Sequence, residues 1–295
     1  MRFYFTLFIS LAAFFGARCV GAQNLTFDDI KKLPVPPADQ RLSYGSEAAQ
    51  FGELRLPKTA GKHPVVIVIH GGCWYTEYDL KHISNFSAAL TRAGVATWTL
   101  EYRRVGQTGG GWPGTFQDVA RGADHLRVLA RTYPLDLKNV VVVGHSAGGQ
   151  LGLWLAARSK MPKGSLLFTT APFPLRGVVS LAGVTDLRKF GKGCNGAVSK
   201  LLGGSAEELT ERYRQTSPLE LLPLGVRQSL IHGALDKIVQ PGMSRDYEKA
   251  AKARGDKVRL TILEQAGHFD LISPYSTAWP TIEREVFSLL KFKRQ

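Results

Sequence analysis

The feature that most constrains this chain runs from Val140 to Gly152 and reads V-V-V-V-G-H-S-A-G-G-Q-L-G. Val140 to Val143 are β-branched with no polar break, which predicts a short strand buried on both faces. Leu151, Leu153, Trp154 and Leu155 predict a mostly apolar helix. Between them Gly144, His145, Ser146, Ala147 and Gly148 spell G-x-S-x-G. A serine therefore sits where a buried strand turns at once into a helix. Side chains flanking it would strike the strand or the helix, and glycine at Gly144 and Gly148 removes that clash. The serine is expected in a strained backbone conformation, its hydroxyl above the end of the sheet. The helix that follows aims free N–H groups and partial positive charge at the same spot. A glycine-rich turn with an incidental serine is the plainer alternative. The strand before and the helix after favour a nucleophile.

The start of the chain is of another kind. Met1 and Arg2 precede an apolar run, Phe3 to Phe15, broken only by Thr6 and Ser10, and Val20-Gly21-Ala22 suits cleavage before Gln23. This pattern predicts a secretory signal peptide over residues 1–22, with a secreted or periplasmic product. The apolar core is short for a membrane span, so no stable membrane insertion is expected after its removal. An uncleaved anchor is the alternative. Residues 23–295 are expected to form a single domain, long enough for a full core. Beyond the leader two cysteines remain, Cys73 and Cys194, which an oxidising compartment would allow to pair; sequence leaves the pairing open. The net charge of +14 comes from scattered residues, with no basic stripe carrying interleaved aromatics and no zinc-knuckle spacing, which speaks against nucleic acid as a partner. No metal site or cofactor is implied.

In chain order, Arg41–Tyr44 and Phe51–Leu56 read as an edge hairpin. Strands are expected at Val65–Ile69, Ala96–Leu100, Gly177–Leu181, Gln228–His232 and Val258–Leu263. Helices are expected from about Leu80 to Ala93, Phe116 to Thr132 with Thr115 as cap, Gly242 to Arg254, and Trp279 to Phe292. Gly109, Gly110, Gly111 and Gly114 make a glycine-rich loop without the lysine and Ser/Thr of a phosphate loop, so a loop over the site is the better reading. Lys189 to Arg214, helical only after Ser205, is expected to form a small lid or pocket wall. Strand and helix alternate, which implies an α/β fold with a mostly parallel sheet and helices on both faces. Ligands bind beyond the carboxyl ends of such strands.

A serine hydroxyl needs a base, and the base an orienting acid. Asp236 follows a strand in H-G-x-x-D-x-x-V, and His268 follows the last strand in G-H-F. Ser146, Asp236 and His268 are therefore the expected catalytic set, with Asp186 as rival acid and Asp270 a weaker one. His232 is expected to be structural, His145 to point away from the site, and His82 to lie on the surface. His70-Gly71-Gly72-Cys73-Trp74 follows a central strand. Its bare N–H groups at Gly71 and Gly72, with that of Ala147, are expected to hold a developing oxyanion. Trp74, Trp112 and Phe269 lie in loops near the site and are the candidate substrate-binding aromatics, although aromatics more often simply pack.

From about Phe51 to Leu290 these motifs resemble an α/β-hydrolase of the esterase/lipase type. His70-Gly71-Gly72-Cys73-Trp74 resembles the H-G-G-x-W motif of kynurenine formamidase-like and related carboxylesterase families. Gly144 to Gly149 resembles their nucleophile elbow, and the Asp236 and His268 contexts resemble those of their acid and base. In hormone-sensitive-lipase-like relatives a third glycine is common where Cys73 stands. The resemblance implies an α/β-hydrolase fold and hydrolysis of a small-molecule ester or activated amide through an acyl-serine, without a cofactor. Formylkynurenine hydrolysis is usually an intracellular task, so the secretion signal favours a carboxylesterase. An arylformamidase or peptidase-like amide hydrolase, and a non-catalytic binding module on the same scaffold, are the alternatives. Oligomeric state is left open.

Overall fold

A computed structural model describes residues 24–292. The expected leader, residues 1–22, lies outside the described residues. The strands are β1 (Gln40–Ser43), β2 (Phe51–Arg55), β3 (His63–Ile69), β4 (Ala96–Leu100), β5 (Leu135–His145), β6 (Gly177–Leu181), β7 (Arg227–Gly233) and β8 (Val258–Leu263). The helices are α1 (Phe27–Lys32), α2 (Ser84–Arg92), α3 (Gly114–Asp124), α4 (Leu126–Leu129), α5 (Ala147–Ala156), α6 (Leu187–Phe190), α7 (Gly193–Leu202), α8 (Thr210–Thr216), α9 (Pro241–Ala253) and α10 (Trp279–Leu290). One sheet runs β1-β2-β4-β3-β5-β6-β7-β8. β1 and β2 are antiparallel at one edge, and every pairing from β4 to β8 is parallel.

Successive residues of the central strands feed opposite faces, as the pleat requires. Val65, Ile67, Val140 and Val142 pack with Phe116, Leu151 and Trp154 of α3 and α5. Val66, Val68, Val141 and Val143 pack with Phe86, Leu90, Ile282 and Val286 of α2 and α10. Helices therefore cover both faces, and the apolar valine run is explained by burial on each side. This is the α/β architecture expected from the alternation of strand and helix.

Three local expectations are corrected. The helix expected over Phe116 to Thr132 is broken at His125 into α3 and α4. Thr115 does not cap it: Pro113 holds that place, while the Thr115 hydroxyl donates to Arg103 O at 2.6 Å and accepts from Gly111 N at 3.0 Å. The hydroxyl is spent on tying down the glycine-rich loop. In the insertion, helix begins well before Ser205. α7 buries Ala197, Val198, Leu201 and Leu202, although Cys194, Asn195 and Gly196 sit in left-handed conformations at its start. The surrounding glycines conceal that apolar face in the sequence.

The cysteines left open above are joined: Cys73 and Cys194 form a disulfide with Cα atoms 6.2 Å apart, spanning 121 residues of sequence. It ties the loop after β3 to the start of α7. Closing so long a loop restricts the unfolded chain, so Cys194→Ser should lower unfolding free energy by about 2–4 kcal/mol. Urea melts would show this, with reduced wild type matching the variant; an unchanged midpoint would contradict it.

Candidate active site

β3 is followed by β4 on one side, and the chain then returns to lay β5 on the other. The carboxyl ends of β3 and β5 therefore flank the point where strand order reverses, a natural crevice for a ligand. Ile69 of β3 is in register with Gly144 of β5. Ser146 stands just beyond, with φ 54° and ψ −119°, a conformation costly for any residue with a Cβ. Its backbone N–H donates to Leu181 O at 2.8 Å, which pins the turn to β6. The flanking glycines are dictated by contact. A Cβ on Gly144 would stand 2.0 Å from Gly148 O, and one on Gly148 would stand 2.2 Å from Ile69 O. Ser146 is only 4% exposed.

Asp236 follows β7 and His268 follows β8. His268 Nδ1 lies 2.6 Å from Asp236 Oδ2. The acid's other oxygen accepts the backbone N–H groups of Ile238 at 2.8 Å and Val239 at 3.0 Å. His232 Nε2 is 3.3 Å from Oδ2 and 2.8 Å from Val239 O, and its Nδ1 meets Ser244 Oγ at 2.7 Å. Burial works against the charge on Asp236, yet hydrogen bonds from His232 and His268, the charge of His268 and the Ile238 N–H together bring its pKa well below the ordinary carboxylate range. A fixed carboxylate on Nδ1 requires the proton there, leaving Nε2 of His268 free to accept one. The rival acids are engaged elsewhere. Asp186 caps α6 through Arg188 N and Lys189 N. Asp270 accepts Gly267 N at 2.8 Å inside the His268 loop.

Ser146 and His268 are linked through His145. The His145 ring lies 4.5 Å from that of His268, and its Nε2 donates to His268 O at 3.1 Å. His145 was expected to point away; instead the last residue of β5 reaches under the His268 loop. Burial, with the charges of His268 and His82, holds His145 well below its usual pKa, so it acts as a neutral donor. Among the described residues, Ser146 Oγ makes no direct hydrogen bond to His268; such bonds commonly tighten only when substrate is bound.

The glycine loop packs directly on the serine. A Cβ on Gly71 would stand 3.0 Å from Ser146 Cβ. Gly72 has φ 106°, and Cys73 and Trp74 also have positive φ, so the loop coils tightly. Its orientation is set from behind. His70 Nδ1 donates to Gly71 O at 2.8 Å, and Nε2 meets Glu101 Oε1 at 3.0 Å. In a trans peptide N–H opposes C=O, so holding the Gly71 carbonyl turns the Gly72 N–H the other way. Tyr102 stacks on His70 at 4.4 Å and donates its hydroxyl to His70 O at 2.9 Å. Burial opposes the Glu101 charge, but His70, Arg104 and the Tyr102 N–H hold its pKa below the usual value. Glu101 and Tyr102 were not foreseen. Their position at the end of β4, beside the end of β3, was the available signal. Ala147 opens α5, so its N–H has no acceptor within the helix.

The three aromatics fare differently. Trp74 is sealed in the core at 0% exposure and donates from Nε1 to Gln150 Oε1, so it joins the loop to α5 instead of facing a ligand. Trp112 donates its N–H to Leu201 O at 2.7 Å and lies under Arg212, between the glycine-rich loop and the insertion. Phe269 is half-buried and stands edge-on to His268 at 5.1 Å. His82 is half-buried, not fully exposed. Its ring lies 5.6 Å from those of His70 and Phe27.

The sheet order, the serine turn and the Asp236–His268 pair define an α/β-hydrolase of the esterase type. A family model described as BD-FAE matches residues 53–250, and the chain belongs to that family. Curated relatives are more distant. A probable isoprenylcysteine alpha-carbonyl methylesterase of Arabidopsis thaliana is 24% identical over 77% of this chain, and the match spans 56% of that protein. Kynurenine formamidase of Drosophila melanogaster is 23% identical over 78% of this chain and 74% of its own. Among solved structures, a truncated carbohydrate esterase from gut microbiota has a TM-score of 0.75 at 18% identity, covering 87% of this chain and 99% of its own. Esterase B from Lactobacillus rhamnosis has a TM-score of 0.74 at 21% identity, covering 90% of each chain. These structures share the fold. Among the described residues no helix is long and apolar enough to cross a membrane, and no group of acidic, histidine or cysteine residues could hold a metal ion.

Burial, reinforced by the charges of His70 and Arg104, lowers the His82 pKa from its ordinary 6.5 to about 3. Between those values the unfolded chain binds a proton that the folded chain refuses, so stability falls as pH falls through that window. One such group contributes up to about 1.4 kcal/mol per pH unit. Thermal melts of His82→Gln at pH 7 and pH 5 should show a smaller loss than wild type, although His145 adds a similar slope to both.

Proposed function

We propose that this chain is a secreted serine esterase acting on small carboxylic esters through an acyl-serine. The observation that carries the reading is the 2.6 Å contact of His268 Nδ1 with the buried Asp236 carboxylate, with His268 packed against His145, the residue before Ser146. In this reading Ser146 Oγ attacks the ester carbonyl as His268 Nε2 takes its proton. Asp236 keeps the imidazole in the required tautomer and stabilises the imidazolium that forms. The N–H groups of Gly71, Gly72 and Ala147 receive the oxyanion; one such donor is worth about 3 kcal/mol of barrier. Collapse of the tetrahedral adduct returns the proton to the leaving alcohol, and water then repeats the sequence on the acyl-serine.

The N-terminal apolar run and the Cys73–Cys194 disulfide support an oxidising, extracytoplasmic setting. Likeness to a kynurenine formamidase keeps amide hydrolysis as the second reading. A panel of p-nitrophenyl esters, formanilides and aminoacyl-anilides separates the two: the ester reading expects short-chain esters to give the highest kcat/KM. Ser146→Ala and Asp236→Asn should each lower kcat by about a thousandfold or more while leaving the fold intact. A Ser146→Ala protein that keeps wild-type rates, or wild type that a fluorophosphonate fails to label, would end the serine mechanism.

A further inference from the structure

Before the sheet begins, the chain runs across the top of the site. Asn24 lies against the His268 loop: a Cβ on Gly267 would meet Asn24 Oδ1 at 2.9 Å. The Asp270 carboxylate, which braces that loop through Gly267 N, also takes a hydrogen bond from the Leu25 backbone. Thr26 then caps α1 in a reciprocal pair with Asp29, a strong local stop that fixes where the helix starts. One residue later Phe27 meets two loops at once. Its ring is 5.6 Å from Phe269, which stands edge-on to His268 at 5.1 Å. On its other side it is 5.1 Å from Tyr78, whose side chain covers Gly72 so closely that a Cβ there would stand 2.2 Å from Tyr78 Cβ.

Phe27 thus sits between the loop that carries the proposed base and the loop that carries the proposed oxyanion donors. These loops follow β8 and β3, which are not neighbours in the sheet. The segment is anchored independently of the site. Ile30 is buried in the core with Val66 and Val68, the Asn85 amide donates to Pro34 O, and Arg55 donates to Pro36 O at 2.8 Å. A wedge held from below by the core can fix the spacing of two loops above it.

We propose that the segment from Asn24 through α1 is a working part of the active site, with Phe27 as a positioning residue that sets His268 against the Gly71–Gly72 loop. This rests on the serine-hydrolase reading. Phe27 touches no reacting atom in it and acts through Phe269 and Tyr78. Misplacement of catalytic groups by about 1 Å can cost on the order of a hundredfold in rate, whereas loss of a packing ring alone leaves kcat untouched once the protein is folded.

The test uses the full chain, p-nitrophenyl acetate as probe, and a temperature well below every variant's melting point. Phe27→Ala should lower kcat at least about tenfold with KM within about twofold, and should slow fluorophosphonate labelling of Ser146 in parallel. Phe27→Leu, which keeps the bulk, should recover most of the rate and covers the case in which the alanine variant does not fold. Val286→Ala trims the same core on α10, outside this segment; it should lower the melting temperature and leave kcat unchanged. A folded Phe27→Ala with wild-type kcat, or a Val286→Ala whose kcat falls as far as that of Phe27→Ala, would overturn the proposal. Wild type without Ser146-dependent turnover would instead overturn the reading beneath it.

Discussion

Where the chain leaves β5 and enters α5, backbone meets backbone with no room between. Gly148 rests on the carbonyls of Ile69 and His70, and Gly144 rests on Gly148. That contact forces Ser146 into its positive φ and seats it between the ends of β3 and β5. The rest of the site is arranged around this point. The glycine loop can touch the serine because β3 ends beside it, and the His268 loop can reach His145 because β5 delivers that ring one residue earlier. A strained residue persists only where its surroundings over-determine it. Here a β6 carbonyl on the Ser146 N–H, two valine-lined cores and the α5 packing all do so.

Charge is handled in two buried groups, one behind each wall of the crevice. Asp236 gathers His232, His268 and two backbone N–H groups. Glu101 gathers His70, Arg104 and the N–H groups of Leu80 and Tyr102. Removing an ion from water is costly, so each carboxylate is saturated with donors. Each carboxylate also orients a neighbour: the His268 imidazole directly in one case, the Gly71–Gly72 peptide through His70 in the other. Stability and positioning here share the same hydrogen bonds.

The strand order and both motif loops could be read from the sequence because they rest on short-range rules. β-branched runs make buried strands, and paired glycines mark close approach. Asp236 and His268 were legible for a further reason: each follows a strand, and parallel strands end on one side. What could not be read depends on contacts between distant segments. Trp74 looks like a pocket residue until Gln150 is known to meet its indole. His82 looks exposed on a polar helix until α1 is folded across it. His145 was misjudged because only the path of the last loop decides what lies beneath it. The α7 face was hidden by glycines, and the cysteine pairing depended on where that helix begins.

The disulfide has a mechanical consequence. Cys73 follows Gly72 directly, and its partner Cys194 opens the longest helix of the insertion. Tyr75, on the same loop, adds a hydrogen bond to Cys194 O. The start of α7 and the Gly71–Gly72 loop are thus covalently joined. Any displacement of α7 is therefore passed through the disulfide to the glycine loop that packs on Ser146.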